Sequence, residues 1–191
     1  MTLTPSPPQT ETTAAYFALD VASDLRHEYR NGKIIPMTGG TPAHNEISAN
    51  LVFLLKGALR KQPYSIFVAD QRLWIPEPDD YAYPDVMVTP RPAALKPGRR
   101  DTVLNPIVLA EVLSGSTEKY DRGNKFQAYR TIPTFQDYLL IAQEKPQVEQ
   151  YIKKGENQWL LMEHRGLSAV FTLQSLGISL SLADLYEAIE F

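Results

Sequence analysis

Ile107-Val108-Leu109-Ala110-Glu111-Val112-Leu113 is the segment that decides the fold. Its apolar run is typical of a strand that is buried on both faces of a sheet. An ionised carboxylate in such surroundings is costly unless it is paired or binds a cation. The segment therefore predicts a central strand with a perturbed acid, Glu111, which serves either in catalysis or in a structural bond to an arginine or a loop.

A second acid stands at the start of another apolar strand, in Tyr83-Pro84-Asp85-Val86-Met87-Val88. If the fold brings Asp85 close to Glu111, the two carboxylates repel each other unless a divalent cation lies between them. Mg²⁺ is a small, hard ion that binds one or two carboxylates, several waters and a substrate phosphate. The pair therefore favours a Mg²⁺ site, with Mn²⁺ as an alternative ion.

Hydrophobic periodicity and turn residues predict the remaining elements. We expect helices over 12–20, 44–62, 118–130 and 182–189, and strands over 65–75, 83–89, 107–113, 138–141 and 168–173. Hairpins are predicted over 27–35, where Asn31-Gly32 suits a type I′ turn, and over 148–162. This order gives an α/β or α+β fold, in which a mixed β-sheet core is flanked by helices and carries extra β-hairpins.

The composition is that of an ordinary globular protein, because 43% of the 191 residues are hydrophobic and 21% are charged. We expect a disordered N-terminal lead-in over 1–13, which is rich in proline and hydroxyl residues, and a single domain over 14–191. The sequence has no cysteine. That excludes disulfides, thiolate nucleophiles and cysteine-ligated metals, so oxygen atoms are the natural metal ligands.

Charge and hydropathy limit the partners of the chain. The N-terminus lacks the pattern of a signal peptide, and apolar runs stay far below the ~20 residues that span a bilayer, so we expect a cytoplasmic protein with no membrane partner. The net charge of −3 argues against a coat-like nucleic-acid binder but is compatible with a local basic rim. Candidates for such a rim are Arg91, Lys96, Arg99, Arg100, Arg122 and Arg130, although a solvated face explains them equally well.

Lys125 lies in the helix predicted over 118–130, on one stripe with Asp121 and Tyr129. One interpretation is an exposed Asp121–Lys125 ion pair worth about 0.3–0.5 kcal/mol. In the other, Lys125 points at the centre that holds Glu111 and stabilises charge on a phosphate there. Spacing alone favours the exposed pair.

His44 and Glu46 stand at the start of the long helix, after Gly39-Gly40-Thr41-Pro42. His44 either contributes to a catalytic centre or only orients the start of the helix. Glu46 is either a further catalytic acid or a first-turn acid that complements the helix dipole.

Three segments in this order carry a likeness to a known family: Tyr83-Pro84-Asp85-Val86, then Glu111-Val112-Leu113-Ser114 with Ser116-Thr117, then Tyr120-Asp121-Arg122-Gly123-Asn124-Lys125-Phe126 with Tyr129-Arg130. Together they resemble the PD-(D/E)XK nuclease superfamily, and more narrowly a bacterial family of restriction-endonuclease-like proteins of the Uma type. The likeness extends from about Tyr16 to Phe191. It implies a restriction-endonuclease-like fold and Mg²⁺-dependent cleavage of phosphodiester bonds.

The resemblance also implies roles for individual residues. Asp85 matches the metal-binding aspartate, and Glu111 matches the second acid of the motif. Leu113 occupies the position of the superfamily lysine, and Lys125 matches a lysine that has moved to the following helix. We expect the backbone carbonyl of Val112 to serve as a third oxygen ligand of the metal.

Three further residues are candidates for supporting roles. Glu46 is in the position of an additional acid that superfamily members supply from an early helix, and His44 is in a position that often holds histidine in this family. Asp121 would hold Lys125 in place.

The resulting prediction is a Mg²⁺-dependent endonuclease that acts on DNA. A homodimer suits cleavage of both strands, and the hairpin over 148–162, with Tyr151 and Trp159 expected at its surface, is the candidate contact. The alternative is a catalytically inactive nuclease-fold module that binds DNA or protein, which Leu113 and the net negative charge favour.

Overall fold

The fold is described by a computed structural model that covers residues 10–115 and 117–191. In the first half of the chain the elements are α1 (Thr13–Ala22), β1 (His27–Arg30), β2 (Lys33–Pro36), α2 (Pro42–Ala58), β3 (Tyr64–Val68), β4 (Arg72–Ile75), β5 (Asp80–Ala82) and β6 (Val86–Pro90). In the second half they are β7 (Thr102–Val103), β8 (Val108–Leu113), α3 (Glu118–Tyr120), a π-helical turn (Asp121–Lys125), α4 (Phe126–Tyr129), β9 (Asp137–Ala142), β10 (Gln147–Gly155), β11 (Gln158–Arg165), β12 (Val170–Leu173), β13 (Ile178–Ser181) and α5 (Leu182–Leu185).

A six-stranded mixed sheet in the order β11-β10-β9-β8-β6-β3 forms the centre of the molecule. β8 runs parallel to β9 and antiparallel to β6. All six residues of β8 are buried, as the apolar run in the sequence predicts. A second sheet has the order β2-β1-β5-β4-β7, and β12 pairs with β13 in a separate hairpin. The predicted α+β architecture, a mixed sheet flanked by helices with extra hairpins, is therefore confirmed.

Two hydrophobic clusters lie on opposite faces of the central sheet, because side chains alternate along each strand. Val108, Ala110 and Val112 pack with the buried face of α2, which consists of Ile47, Leu51 and Leu55. Leu109 and Leu113 pack on the other face, with the aromatic side chains Phe126, Tyr129 and Tyr138. Glu111 lies between Leu109 and Leu113 and therefore faces the second cluster.

The first hairpin has the predicted turn, since Asn31 and Gly32 have φ values of 47° and 74°. Glu11 N–H donates to the Gly32 carbonyl at 2.8 Å, and the Thr12 hydroxyl caps α1 by accepting from Ala15 N–H at 3.1 Å. Residues 10–13, which we expected in the lead-in, therefore contact the folded part. Residues 1–9 lie outside the described residues.

One predicted strand and one predicted helix have limits that differ from those in the structure. The strand expected over 65–75 is two strands, β3 and β4, which belong to different sheets. A polar turn separates them, with Gln71 N–H donating to the Val68 carbonyl at 2.9 Å. The closing helix expected over 182–189 ends at Leu185, and Ala188 has a φ of 61° that no right-handed helix contains.

In the part of the chain that the structure describes, no helix is both long and apolar enough to cross a membrane.

Candidate functional site

Asp85 and Glu111 are brought together by the pairing of β6 with β8. Val86 lies opposite Ala110 in this antiparallel pair. Asp85 directly precedes Val86 and Glu111 directly follows Ala110, so both acids lie at the same end of this strand pair. Val112 N–H donates to Asp85 Oδ2 at 2.7 Å, which fixes the Asp85 carboxylate beside β8.

His44 reaches the same carboxylate from the start of α2. Its Nε2 lies 3.1 Å from Asp85 Oδ2, and its own backbone N–H donates to the Thr41 hydroxyl that caps the helix. The hydrogen bond to Asp85 raises the pKa of His44, although burial of the ring opposes this. Gly40 packs directly on the ring, because a Cβ there would lie 2.8 Å from His44 Nδ1. His44 therefore belongs to the site and is oriented by the loop before it.

Glu111 is buried and receives two donors on one oxygen. Its Oε1 lies 2.7 Å from Lys125 Nζ and accepts the Tyr129 hydroxyl at 2.8 Å. Burial raises the pKa of the Glu111 carboxyl to about 8; Lys125 opposes this rise, and Asp85 and Asp121 add to it.

Lys125 has three carboxylates around its ammonium group. Besides Glu111, Asp121 Oδ1 lies 3.5 Å and Glu28 Oε1 lies 3.9 Å from Lys125 Nζ. Burial acts to lower the pKa of Lys125, but these carboxylates outweigh it and the pKa lies above its ordinary value. The prediction that Lys125 points at Glu111 is confirmed. The exposed ion pair is wrong, since the side chains of Lys125 and Asp121 are only 6% and 4% exposed.

A π-helical turn supplies both Asp121 and Lys125. The helix predicted over 118–130 exists, but it is interrupted by this turn between α3 and α4. A π-helical turn is rare and is frequently found at functional sites. Both Asp121 and Lys125 are buried within it, so the turn directs an acid and a base into the same interior space.

Two residues of the site, Glu28 and Tyr129, were not predicted to belong to it. Glu28 of β1 accepts the Tyr83 N–H at 3.2 Å and pairs with Arg30, whose guanidinium lies 3.9 Å from the centre of the Tyr120 ring. Tyr129 is predicted on the stripe of Lys125 but not as a donor to Glu111. Only the helical stripe gave a signal for Tyr129, and nothing in the local sequence connects Glu28 with a helix almost a hundred residues away.

The charges of the site do not balance. The carboxylates of Glu28, Asp85 and Asp121 face the two permanent cations Arg30 and Lys125, and Glu111 adds a further negative charge whenever it is ionised. Burying charges without compensation costs several kcal/mol, and a divalent cation would offset the excess.

Asp85 and Glu111 are the residues that could hold such a cation. Each uses one oxygen for the protein contacts above, and their other oxygens, Asp85 Oδ1 and Glu111 Oε2, have no hydrogen-bond partner among residues 10–115 and 117–191. Within the same ranges, no three acids or histidines are grouped as ligands of one ion. Two carboxylates with waters fit Mg²⁺, which keeps much of its hydration shell in proteins.

The remaining predicted site residues have different positions. Glu46 is exposed on α2 and has no hydrogen bond or ion pair among the described residues, so it is not brought to the site. Val112 contacts Asp85 through its N–H, and its carbonyl as a metal ligand stays a prediction. Beside these predicted residues, Gln143 directly after β9 bonds the Leu113 carbonyl and the Thr41 hydroxyl, and thereby links the loop before α2 to the end of β8.

Several predicted surface residues are engaged within the protein. Arg122 pairs with Glu118 and Glu149, Arg99 with Asp101, and Lys96 with Asp79. This removes much of the predicted basic rim.

The aromatic residues of the last hairpin pack partly against the second cluster. The ring centres of Tyr151 and Trp159 lie 4.4 Å and 5.2 Å from that of Phe126. Both side chains are therefore half-buried rather than fully exposed, and the dimer contact stays a prediction.

Comparisons with known proteins agree with this fold. The family model described as "Uma2: Putative restriction endonuclease" matches residues 13–183. Two uncharacterized proteins of Synechocystis sp. are similar to the chain: sll1609 is 42% identical over 158 residues, which are 83% of this chain and 89% of that protein. The other, slr1290, is 35% identical over 166 residues, which are 87% of this chain and 86% of that protein.

A solved structure has the same fold. It is the crystal structure of "a putative nuclease belonging to DUF820" from Anabaena variabilis, which matches with a TM-score of 0.70 at 18% identity. The match covers 86% of this chain and 91% of the other. At this identity the likeness concerns the fold alone.

Proposed function

The chain belongs to the Uma2 family, and on that premise we propose that it is a metal-dependent endonuclease that hydrolyses phosphodiester bonds in DNA. The observation that carries the proposal is the meeting of Asp85, Glu111 and Lys125 at one partly buried centre, from two neighbouring strands and the following helix. Two carboxylates and a cation are the groups that phosphodiester hydrolysis requires, for a metal ion and for the developing charge on the phosphate.

Asp85 and Glu111, with the Val112 carbonyl as a third oxygen ligand, would hold Mg²⁺ or Mn²⁺. The bound ion supplies charge neutralisation at the scissile phosphate and acidifies water. The two carboxylate oxygens without protein partners and the excess of negative charge support this assignment.

Lys125 would stabilise charge at the attacked phosphorus, since its raised pKa keeps the ammonium protonated at neutral pH. Asp121 holds Lys125 from the same helix, and Tyr129 holds Glu111. His44 holds Asp85, and this bond raises the pKa of His44, which favours the charged imidazolium beside the carboxylate. Glu46 is left without a role, because it is exposed away from these groups.

Cleavage of supercoiled plasmid in Mg²⁺ or Mn²⁺ tests the proposal. We expect Asp85→Asn to lower the cleavage rate by at least about 100-fold, since it removes a ligand charge without changing the shape of the side chain. Glu163→Gln is the matched control, because Glu163 is a half-exposed carboxylate on β11. A cleavage rate that is unchanged in Asp85→Asn would contradict the proposed site.

A catalytically inactive module that binds DNA or protein is the second candidate. Two observations favour it: Leu113 is packed in the second cluster where the superfamily has its lysine, and Lys125 is already enclosed by three carboxylates. Binding of DNA that is never cleaved in either ion, with equal affinity in Asp85→Asn, would identify this function.

A further inference from the structure

A basic groove lies at the end of α2 that is remote from His44. It is an open cavity of about 260 Å³ between the last turn of α2, the turn after it and the edge strand β3. Its charged lining consists of Lys56, Arg60, Lys61 and Arg91, and the other residues that line it are Leu59, Gln62, Tyr64, Ser65, Ile66 and Phe67. We call this cavity the α2–β3 groove. None of its lining residues is acidic.

The four cations of the α2–β3 groove carry uncompensated charge. Unlike Arg99, Arg122 and Lys125, they form no ion pair within residues 10–115 and 117–191. Arg91 is oriented by neutral acceptors, the Tyr64 carbonyl at 2.7 Å and the Ser65 hydroxyl at 3.5 Å. In a chain with a net charge of −3, this groove is therefore a local concentration of positive charge with one arginine already in place.

Two elements connect the α2–β3 groove with the candidate site. α2 has His44 near its start and Lys56 near its end, and the twelve residues between them span about 18 Å at about 1.5 Å per residue. β3 also spans the distance between the groove and the site. Tyr64, at its start, lines the groove and lies opposite Pro90, whereas Val68, at its end, lies opposite Val86, the residue after Asp85. On B-form DNA, about 18 Å corresponds to about five base pairs.

An exposed aromatic side chain lies between these two places. Phe53 is 77% exposed, and it shares a face of α2 with Lys56 three residues later. An apolar ring beside cations can pack against the sugars of a nucleic-acid backbone, whereas a free phosphate ion needs only the cations. The combination favours a nucleic acid over a small anion.

We propose that the α2–β3 groove binds backbone phosphates of a DNA duplex about five base pairs from the bond that lies at Asp85 and Glu111. The location of the cleaved bond rests on the proposed function, whereas the binding of phosphates does not. The groove positions the duplex through its backbone and reads no sequence, since Lys and Arg contacts to phosphates carry no base information.

Binding of a fluorescein-labelled duplex of about 24 base pairs, measured by anisotropy in Ca²⁺ over a series of NaCl concentrations, tests the proposal. The test variant is Lys56→Ala/Arg60→Ala/Lys61→Ala, which leaves the bonds of Arg91 intact. The matched control is Lys33→Ala/Lys153→Ala/Lys154→Ala, which removes the same charge from outside the groove. Thermal melting checks that both variants fold.

We expect the groove variant to lose at least about tenfold in affinity at about 100 mM NaCl, and its plot of log K against log salt to become shallower by about 2–3. The control should stay within about twofold of the parent. Equal affinity and slope in the groove variant would overturn the proposal. So would equal competition by polyglutamate, which would identify an acidic protein as the partner.

The same experiment separates this inference from the proposed function. A parent protein that binds the duplex through the groove but cuts no DNA in Mg²⁺ or Mn²⁺ supports the groove and refutes the endonuclease. A parent protein that cuts plasmid, with a groove variant that binds as the parent does, refutes only the groove.

Discussion

Lys125 is the residue on which the buried carboxylates of the candidate site depend. Its ammonium group lies 2.7 Å from Glu111 and 3.5 Å from Asp121 in surroundings that exclude water. Removing one partner of a buried ion pair leaves the other charge without compensation, which costs more than the pair itself contributes. Lys125 therefore has a structural role besides the one proposed for it.

Lys125→Met is expected to lower the free energy of unfolding by about 3–5 kcal/mol at neutral pH, because Asp121 loses its cation and Glu111 loses a hydrogen-bond donor. Urea unfolding followed by circular dichroism measures this. The control is Lys119→Met, an exposed lysine of α3 that should change stability by less than about 0.5 kcal/mol. Equal small effects of the two substitutions would show that Lys125 does not compensate a buried charge.

Glu111 is expected to make stability depend on pH. Burial raises its pKa from 4.5 to about 8, so the folded chain binds a proton that the unfolded chain has released in this window. A group whose pKa is raised on folding contributes stability at low pH and loses it as pH rises through the folded pKa. The free energy of unfolding should therefore fall between about pH 5 and pH 8, by at least about 1 kcal/mol.

Urea unfolding of the parent and of Glu111→Gln over this range tests the prediction. The amide that this substitution introduces cannot ionise, so most of the decline should disappear in the variant. His44, whose pKa is also raised by its bond to Asp85, adds a smaller decline of the same sign that the variant keeps. Identical pH profiles would mean that Glu111 is ionised throughout, with Lys125 outweighing burial.

At the scale of elements, the loop before α2 determines how His44 meets Asp85. Thr41 caps α2, and its hydroxyl also bonds Gln143, which reaches the end of β8. Gly40 packs against the imidazole so closely that a side chain cannot be added without displacement of the ring. The start of the helix, the histidine and the carboxylate thus form one connected unit.

Gly40→Ala is expected to displace His44, since the new Cβ would lie 2.8 Å from Nδ1. The bond to Asp85 would weaken, and the pKa of His44 should fall back towards 6.5. An NMR titration of the imidazole signals measures the change. Gly39→Ala is the matched control, because a Cβ there meets no atom within 4 Å; an equal pKa shift in both variants would contradict the role of Gly40.

Elements with strong local patterns were predictable, and those that depend on distant pairing were not. The apolar run around Glu111 and the Asn31-Gly32 turn each specify their own structure. The spacing of Asp121, Lys125 and Tyr129 predicts a common face, but it cannot show which strand lies beneath it. The segment 65–75 was predicted as one strand instead of two, because a short polar turn inside an apolar run is a weak signal.

At the scale of the whole molecule, the candidate site joins parts that are far apart in the chain. Glu28 comes from the second sheet, His44 from α2, Asp85 and Glu111 from the central sheet and Lys125 from the π-helical turn. Resemblance to a family named four of these residues in advance, His44, Asp85, Glu111 and Lys125, because the motifs that contain them are short and ordered. Glu28 has no such motif, and only the packing of the two sheets brings it within 3.9 Å of Lys125.

The edge of the central sheet is a candidate contact of the predicted homodimer. β11 is the terminal strand, and it exposes Leu160, Leu161 and Met162 by 43%, 46% and 41%. An unpaired edge with exposed apolar residues is a template for pairing with a second chain.

Leu160→Lys/Met162→Lys should therefore raise the dimer dissociation constant by at least about tenfold, because charges at an edge oppose strand pairing. Sedimentation equilibrium measures this, with Val170→Lys as the control at another exposed apolar residue. A parent chain that stays monomeric at every concentration, or a control that dissociates as readily, would exclude β11 as the contact.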